Sequence, residues 1–200
     1  MQQIIWNKGD DILKLEKIAD ISTGLVLARK KSSNNEGVVY DLLTLKSFNE
    51  NGYIEDEYLD NFISEEKIKS QYLTQEGDII VRLSSPNTAI YITKEYENMV
   101  IPSLFAIIRN KVDTISSQFI QVYLNSEKCK RQLAAYTIGS AVSIVKTSTF
   151  KEIKIPEYTV EEQEKIIELN HLIIQEKKLL NKLVDEKNKY HKTIMSKLFK

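Results

Sequence analysis

The final stretch of the chain constrains its architecture more than any other. From residue 157 to residue 200 there is neither proline nor glycine. The stretch opens on Thr159-Val160-Glu161-Glu162, a capping box in which the threonine hydroxyl takes the amide three residues on and the glutamate side chain reaches back. Pro156 closes the strand-like "IKIP" just before it. A helix from about residue 160 to 198 would run roughly 58 Å at 1.5 Å per residue, more than the diameter of a small domain. It is therefore expected to project from whatever precedes it.

Its apolar pattern says what such a helix could meet. A heptad frame places Ile166, Ile173, Leu180, Lys187 and Ile194 at a positions and Leu169, Glu176, Leu183, Tyr190 and Lys197 at d positions, most of them apolar as a coiled-coil seam requires. Leu172, Leu179, Val184 and Leu198 widen the stripe. A parallel pair would set Glu176 against Glu176 and Lys187 against Lys187. Reversing one helix about the midpoint between residues 181 and 182 pairs Leu180 with Leu183, Glu176 with Lys187, Ile173 with Tyr190 and Leu169 with Ile194. Only the outer Ile166–Lys197 layer is poor, and a lysine stem there can reach water. These residues are the candidate seam of an antiparallel homodimer, or of a pairing with a near-copy. A competing reading of the same pattern lays the helix along its own domain.

The 200 residues, 42% hydrophobic and 28% charged, suit one globular domain with an appendage, or two small domains. The expected fold class is α+β: a mixed domain over 1–156 followed by a helix over 157–200. "DLLTLKSF" reads as a strand, "NENGY" as a turn, and "SEEKIKSQYL" as a short helix capped by Ser64. "EGDIIVRLSS" reads as a turn at Gly77 leading into a strand, and "TAIYIT" as another strand. "MVIPSLFAIIRN" is a strand interrupted at Pro102 and so expected at a sheet edge. "SSQFIQVYLNSEKCKRQLAAY" has helical period, with Phe119, Ile120, Tyr123 and Leu124 on one face. Strand character returns in "VSIVKTSTFKEIKIP".

Formal net charge is zero, which argues mildly against nucleic acid. The distribution is less even. Residues 101–156 hold eight Lys/Arg against three Asp/Glu, while residues 1–60 hold seven against eleven, so a polyanion stays in play. No apolar run nears a membrane span of about 18 residues, and no signal-peptide pattern opens the chain. Cys129 stands alone, and His171 and His191 are far apart, which leaves no zinc-type spacing. A cytoplasmic protein with no metal and no cofactor is expected. Cys129 reads as an inert helix residue, and the ten tyrosines as core and rim packing.

One combination of motifs has a specific resemblance. "YTIGSAVSIVKTSTFKEIKIPEYTVEEQEKI" resembles the end of a target-recognition domain running into the conserved helix of a Type I restriction–modification specificity subunit. The matching positions are Gly139-Ser140, Phe150, Ile153, Ile155, Pro156, Glu162, Gln163 and Ile166. Upstream, "YLTQEGDIIVRLSS" with Gly77-Asp78 and "LEKIADISTG" are also similar to that family. The resemblance implies a protein that is not itself an enzyme, reads a bipartite site on double-stranded DNA, and carries methyltransferase subunits and a restriction–translocation subunit. A typical member holds two recognition domains and two spacer helices; this chain holds one of each and reads as a half-subunit. It also has "SSPNT" where many relatives have a glycine-rich turn, so that loop's contacts do not transfer. In keeping with a non-catalytic role, no S-adenosylmethionine loop, amino-methylation motif or Walker A sequence is present.

Base-reading residues vary among relatives, so DNA contacts are chosen by chemistry. In "ARKKSSNN", Arg29 suits guanine, Asn34 or Asn35 adenine, and Lys30 and Lys31 phosphates, with Ser32 beside them. "RLSSPNT" offers Arg82, Ser84, Ser85, Asn87 and Thr88 at a strand end. Lys128, Lys130 and Arg131 on a helix, with Lys146 and Thr147 downstream, supply the basic surplus. For each set the competing reading is an ordinary solvated loop or face. Two rival functions stand beside recognition: a small Mg²⁺-dependent nuclease, with Asp78 as the carboxylate to test, and a coiled-coil adaptor that binds only proteins. Apolar Ile167, Ile174 and Met195 are expected to pack against methyltransferase subunits.

Overall fold

The computed structural model describes residues 12–32, 36–136 and 144–199. Along the chain lie β1 (Ile12–Lys14), α1 (Leu15–Ile18), β2 (Ala19–Thr23), β3 (Val38–Leu42) and β4 (Asp60–Ser64). Then follow β5 (Ile79–Arg82), β6 (Ala89–Tyr91), β7 (Phe105–Asn110), α2 (Ser117–Asn125) and α3 (Glu127–Ala135). The chain continues through α4 (Thr147–Lys151), β8 (Lys154–Pro156) and α5 (Val160–Leu198). It is a mixed α/β fold, rich in sheet before α5 and ending in one long helix.

A four-stranded antiparallel sheet in the order β2-β7-β5-β6 forms the centre. Successive strand residues point to opposite faces, and here both faces are covered, which is why "IIV" and "FAII" are continuous apolar runs rather than alternating ones. Ile79, Val81, Ala106 and Ile108 face a core completed by Phe119, Ile120, Leu124, Leu133 and Phe150. Ile80, Phe105 and Ile107 face Leu43, Phe48, Ile54 and Ile101 on the other side. The β3–β4 pair covers a third cluster of Leu25, Leu42, Phe62, Ile68, Leu73 and Val100. Gly24 ends β2 where a Cβ would sit 2.1 Å from the Pro102 carbonyl oxygen, so only glycine lets these two segments touch.

Several expected elements change. "SEEKIKSQYL" is not an α-helix: Ser64 is the last residue of β4, paired with Val38, and only Ser70–Tyr72 forms a 3₁₀ turn. Burial of Ile68 and the cross-strand pairing outweigh the local helical signal. Pro102 does not mark an edge, because β7 begins at Phe105 and lies between β2 and β5. "DLLTLKSF" keeps strand form only through Leu42. The helical segment over 117–135 is two helices, and Ser126 serves both, donating to the Tyr123 carbonyl and accepting from the Cys129 amide. Strand character before "IKIP" is interrupted by α4.

The capping box of α5 forms as its sequence requires, with Thr159 and Glu162 exchanging both bonds. The root of the helix is welded to the domain. Gln163 is buried; its side-chain carbonyl accepts the Ser116 amide at 2.9 Å, and its amide donates to Thr114 and Tyr158 carbonyls at 3.0 and 2.9 Å. Ile166 and Ile167 pack on the first core cluster. Both are half-buried there: Ile166, at the poor outer layer of the expected seam, packs partly on its own domain, and Ile167 also lines a hollow with Ser116 and His171. No helix among the described residues is long and apolar enough to cross a membrane.

Candidate nucleic-acid interface

Strand direction gathers the candidate loops. β2 and β5 both run antiparallel to β7, and β6 runs antiparallel to β5. The C-terminal ends of β2 and β5 thus meet the N-terminal ends of β6 and β7 at one end of the sheet. The turn after β2, the 83–88 loop, exposed Leu104 and the segment 144–147 all emerge there. Ser84 bridges Ile144, the Val145 amide donates to the Leu83 carbonyl at 2.9 Å, and the Thr23 hydroxyl donates to that of Thr147 at 3.3 Å.

Within the first loop Arg29 closes a 3₁₀ turn and is exposed, as is Lys31. Lys30 forms an ion pair with Glu66, whose carboxyl is held below its ordinary range by that ammonium. Ser32 is only 5% exposed, its amide bonded to Ile63, so its side chain lies inside rather than towards a base edge. Asn34, with Asn35, lies outside the described residues. Lys67 and Lys69 join Arg29 and Lys30 around a hollow of about 290 Å³ also lined by Gly24 and Tyr72. Sequence reading missed these two lysines because "KIK" sat inside an expected helix beside Glu65 and Glu66.

In the second loop the Arg82 guanidinium donates to the Ser84 hydroxyl at 2.8 Å, which orients both at the sheet end. Asn87 adopts a left-handed φ of 54° and its amide donates to the Arg82 and Leu83 carbonyls. It builds the loop from within. Thr88 is 2% exposed and faces inward. Lys146, exposed, precedes α4 beside this loop. Arg131 is exposed on α3, whereas Lys128 lines a different hollow with Ile12, Gln132, Tyr136 and Glu152. Lys130, half-buried, donates to the Pro86 and Asn87 carbonyls. The structure thus brings Arg82, Ser84 and Lys146 to one end, with Arg29 beside Gly24 on the loop that leaves β2 there and Lys31 farther along that loop, and leaves Lys128 apart.

Asp78 is buried, and both its oxygens are occupied. Arg109 donates to Oδ1 at 2.9 Å and to Oδ2 at 3.0 Å, and the Gln75 amide adds a bond to Oδ2 at 3.0 Å. Cys129 is buried, with its thiol pushed up to about 12 by desolvation.

The long helix presents two contrasting faces. At about 100° per residue, Gln163, Ile167, Ile174, Lys178 and Asp185 share one side. That side meets the head: Lys178 lies 4.2 Å from the Tyr53 ring centroid, and neighbouring Lys177 donates to Asn51 at 2.9 Å. Beyond these two contacts a hollow separates Tyr53–Tyr58 from Lys178–Asp185. Leu169, Ile173, Glu176, Leu180, Leu183 and Lys187 lie on the opposite side and are exposed, Leu180 at 53% and Leu183 at 50%. Tyr190 and Ile194 extend this exposed stripe. The helix therefore runs beside its own domain and still offers its apolar stripe outward.

No protein-family model matches the chain, and no curated protein matches it. Solved structures share its fold. The HsdS subunit from Thermoanaerobacter tengcongensis has a TM-score of 0.65 at 13% identity, covering 92% of this chain and 47% of that one. A chain from a structure addressing complex assembly and conformational transition of the type I R-M system has a TM-score of 0.66 at 13% identity, covering 89% and 46%. The Type-I restriction-modification system S subunit from M. genitalium has a TM-score of 0.54 at 13% identity, covering 88% and 42%. The chain spans about half the length of these proteins, and it has the fold of one half of a type I S subunit.

Proposed function

We propose that the chain is a DNA-sequence-recognition half-subunit of a type I restriction–modification system, non-catalytic itself, that dimerises to read a bipartite inverted repeat. What carries the reading is the shared fold: about nine-tenths of this chain lies on structures of type I S subunits. The outward apolar stripe of α5 supplies the means of pairing. In the reversed register Glu176 meets Lys187, and the remaining mid-seam layers are apolar. The Gln163 roots then stand on the order of 55 Å apart along the paired helices. Two identical heads related by a two-fold axis read half-sites separated by unread DNA.

Residues at the sheet end divide the work. Arg82 and Ser84, with Arg29, supply base-edge donors and acceptors, while Lys31, Lys67, Lys69 and Lys146 take phosphates. Ser32 and Thr88, being buried, are not retained as direct contacts, and Lys128 and Arg131 serve at most the DNA flank. Methyltransferase subunits, and a restriction–translocation subunit, are the protein partners. The occupied Asp78 carboxylate weighs against a nuclease centred on it.

The test pairs assembly with selection. Wild-type protein is expected to sediment as a dimer, Glu176→Lys as a weaker one, and the Glu176→Lys/Lys187→Glu double variant as a restored one. Together with a methyltransferase partner, the wild type should enrich inverted repeats from a randomised duplex pool. Enrichment of nothing by a dimeric protein would favour the adaptor reading instead.

A further inference from the structure

The 83–88 loop is closed by its own main chain, the Arg82 amide donating to the Thr88 carbonyl and the Asn87 amide to that of Ser84, both at 2.9 Å, and side chains anchor it further. Between Arg82 and Ala89 the backbone leaves the sheet. Asn87 ties it back to the Arg82 and Leu83 carbonyls. At its far end Asn125 and Gln121 of α2 hold Ala89: Asn125 accepts its amide at 2.9 Å, and both side chains donate to its carbonyl. The turn itself, Pro86-Asn87, has one further anchor. Lys130 Nζ donates to the Pro86 carbonyl at 2.6 Å and to the Asn87 carbonyl at 2.5 Å.

We propose that Lys130 is a positioning residue for sequence recognition: a half-buried cation that holds the 83–88 loop, and with it Arg82 and Ser84, in the form that meets DNA. The inference rests on the recognition reading above. Two of the three ammonium donors are committed to main-chain carbonyls, so Lys130 acts on the loop rather than on a phosphate. Bonds from an ammonium are stronger than those from a neutral amine, so the clamp responds to protonation. Desolvation lowers Lys130 to about 8. The acidic groups near it are Glu127 on its own helix and Glu50 across the shared hollow; Cys129, raised to about 12, stays neutral. Through the range around pH 8 the ammonium is lost and the clamp weakens.

Two variants separate this role from plain charge. Lys130→Met keeps the stem and removes the donors; Lys130→Arg keeps a cation that does not deprotonate in this range. Hydrogen exchange on the full chain reads the loop directly. Lys130→Met is expected to lower protection of the 83–88 amides by about tenfold. The wild type should lose protection between about pH 7 and about pH 9, after correction for intrinsic rates, and Lys130→Arg should not. With the methyltransferase partner, on duplexes selected by the wild type, Lys130→Met should weaken binding by about tenfold, and its salt slope should equal that of the wild type. On mixed-sequence duplex its affinity should not change. Unchanged loop protection in Lys130→Met overturns the clamp. A salt slope reduced by about one makes Lys130 a phosphate contact and also overturns it. If the wild type selects no duplex, the recognition reading fails, while the exchange measurement still decides whether Lys130 holds the loop.

Discussion

At the scale of single residues, the ion pair of Asp78 and Arg109 fixes the turn before β5. The register Ile79 with Ile108 sets the two side chains next to each other, and Arg109 also donates to the Leu73 carbonyl at 2.9 Å. The carboxylate is buried and the guanidinium partly so. Removing one member strands the other, which for buried pairs costs about 3 to 5 kcal/mol. Partial exposure of Arg109 places this pair near the lower end, so Asp78→Ala should lose about 3 kcal/mol in chemical denaturation. Nothing local announced that role. "GDIIVR" shows an acid after a turn; its partner lies 31 residues on, and only the strand register brings it near. The same holds for Lys130, whose helical position was plain but whose targets, the Pro86 and Asn87 carbonyls, belong to another part of the chain. Residues whose function depends on their own immediate neighbours were legible, such as Thr159 and Glu162 in their capping box.

At the scale of elements, α5 and its root show what a sequence pattern can and cannot carry. The helix was legible because every signal agreed over a long span: cap, period, and freedom from proline and glycine. The segment 64–73 misled because a Ser-Glu-Glu start is a short-range signal, and cross-strand pairing of Ser64 with burial of Ile68 overrode it. The convergence of loops at one end of the sheet was not legible at all, since strand order decides it. The root of α5 depends on Gln163, whose loss would leave the Ser116 amide and two carbonyls without their partner. Each buried group left unmet costs on the order of 1 kcal/mol or more. Gln163→Ala is therefore expected to destabilise the head by about 3 kcal/mol in denaturant titration.

At the scale of the whole molecule, the two faces of α5 reconcile readings that looked exclusive. The helix does lie beside its own head, through Lys177 on Asn51 and Lys178 on Tyr53. Its apolar stripe nevertheless faces away, opposite those contacts. Beyond residue 174 every described side chain of α5 is exposed, so this stretch draws little burial energy from its own chain. A helix with so little support is marginal in water. Circular dichroism over a dilution series should show loss of helical signal at low protein concentration, while the near-ultraviolet signature of the head persists. A signal independent of concentration would mean that the stretch holds itself.

In the dimer proposed above, that exposure ties abundance to shape. A cell making few copies would hold folded heads on fraying stems, unable to gauge any distance along a genome. One making many would hold paired arms of set reach. Expression level, before any encounter with chromosomal sequence, would then determine whether the instrument exists in working form.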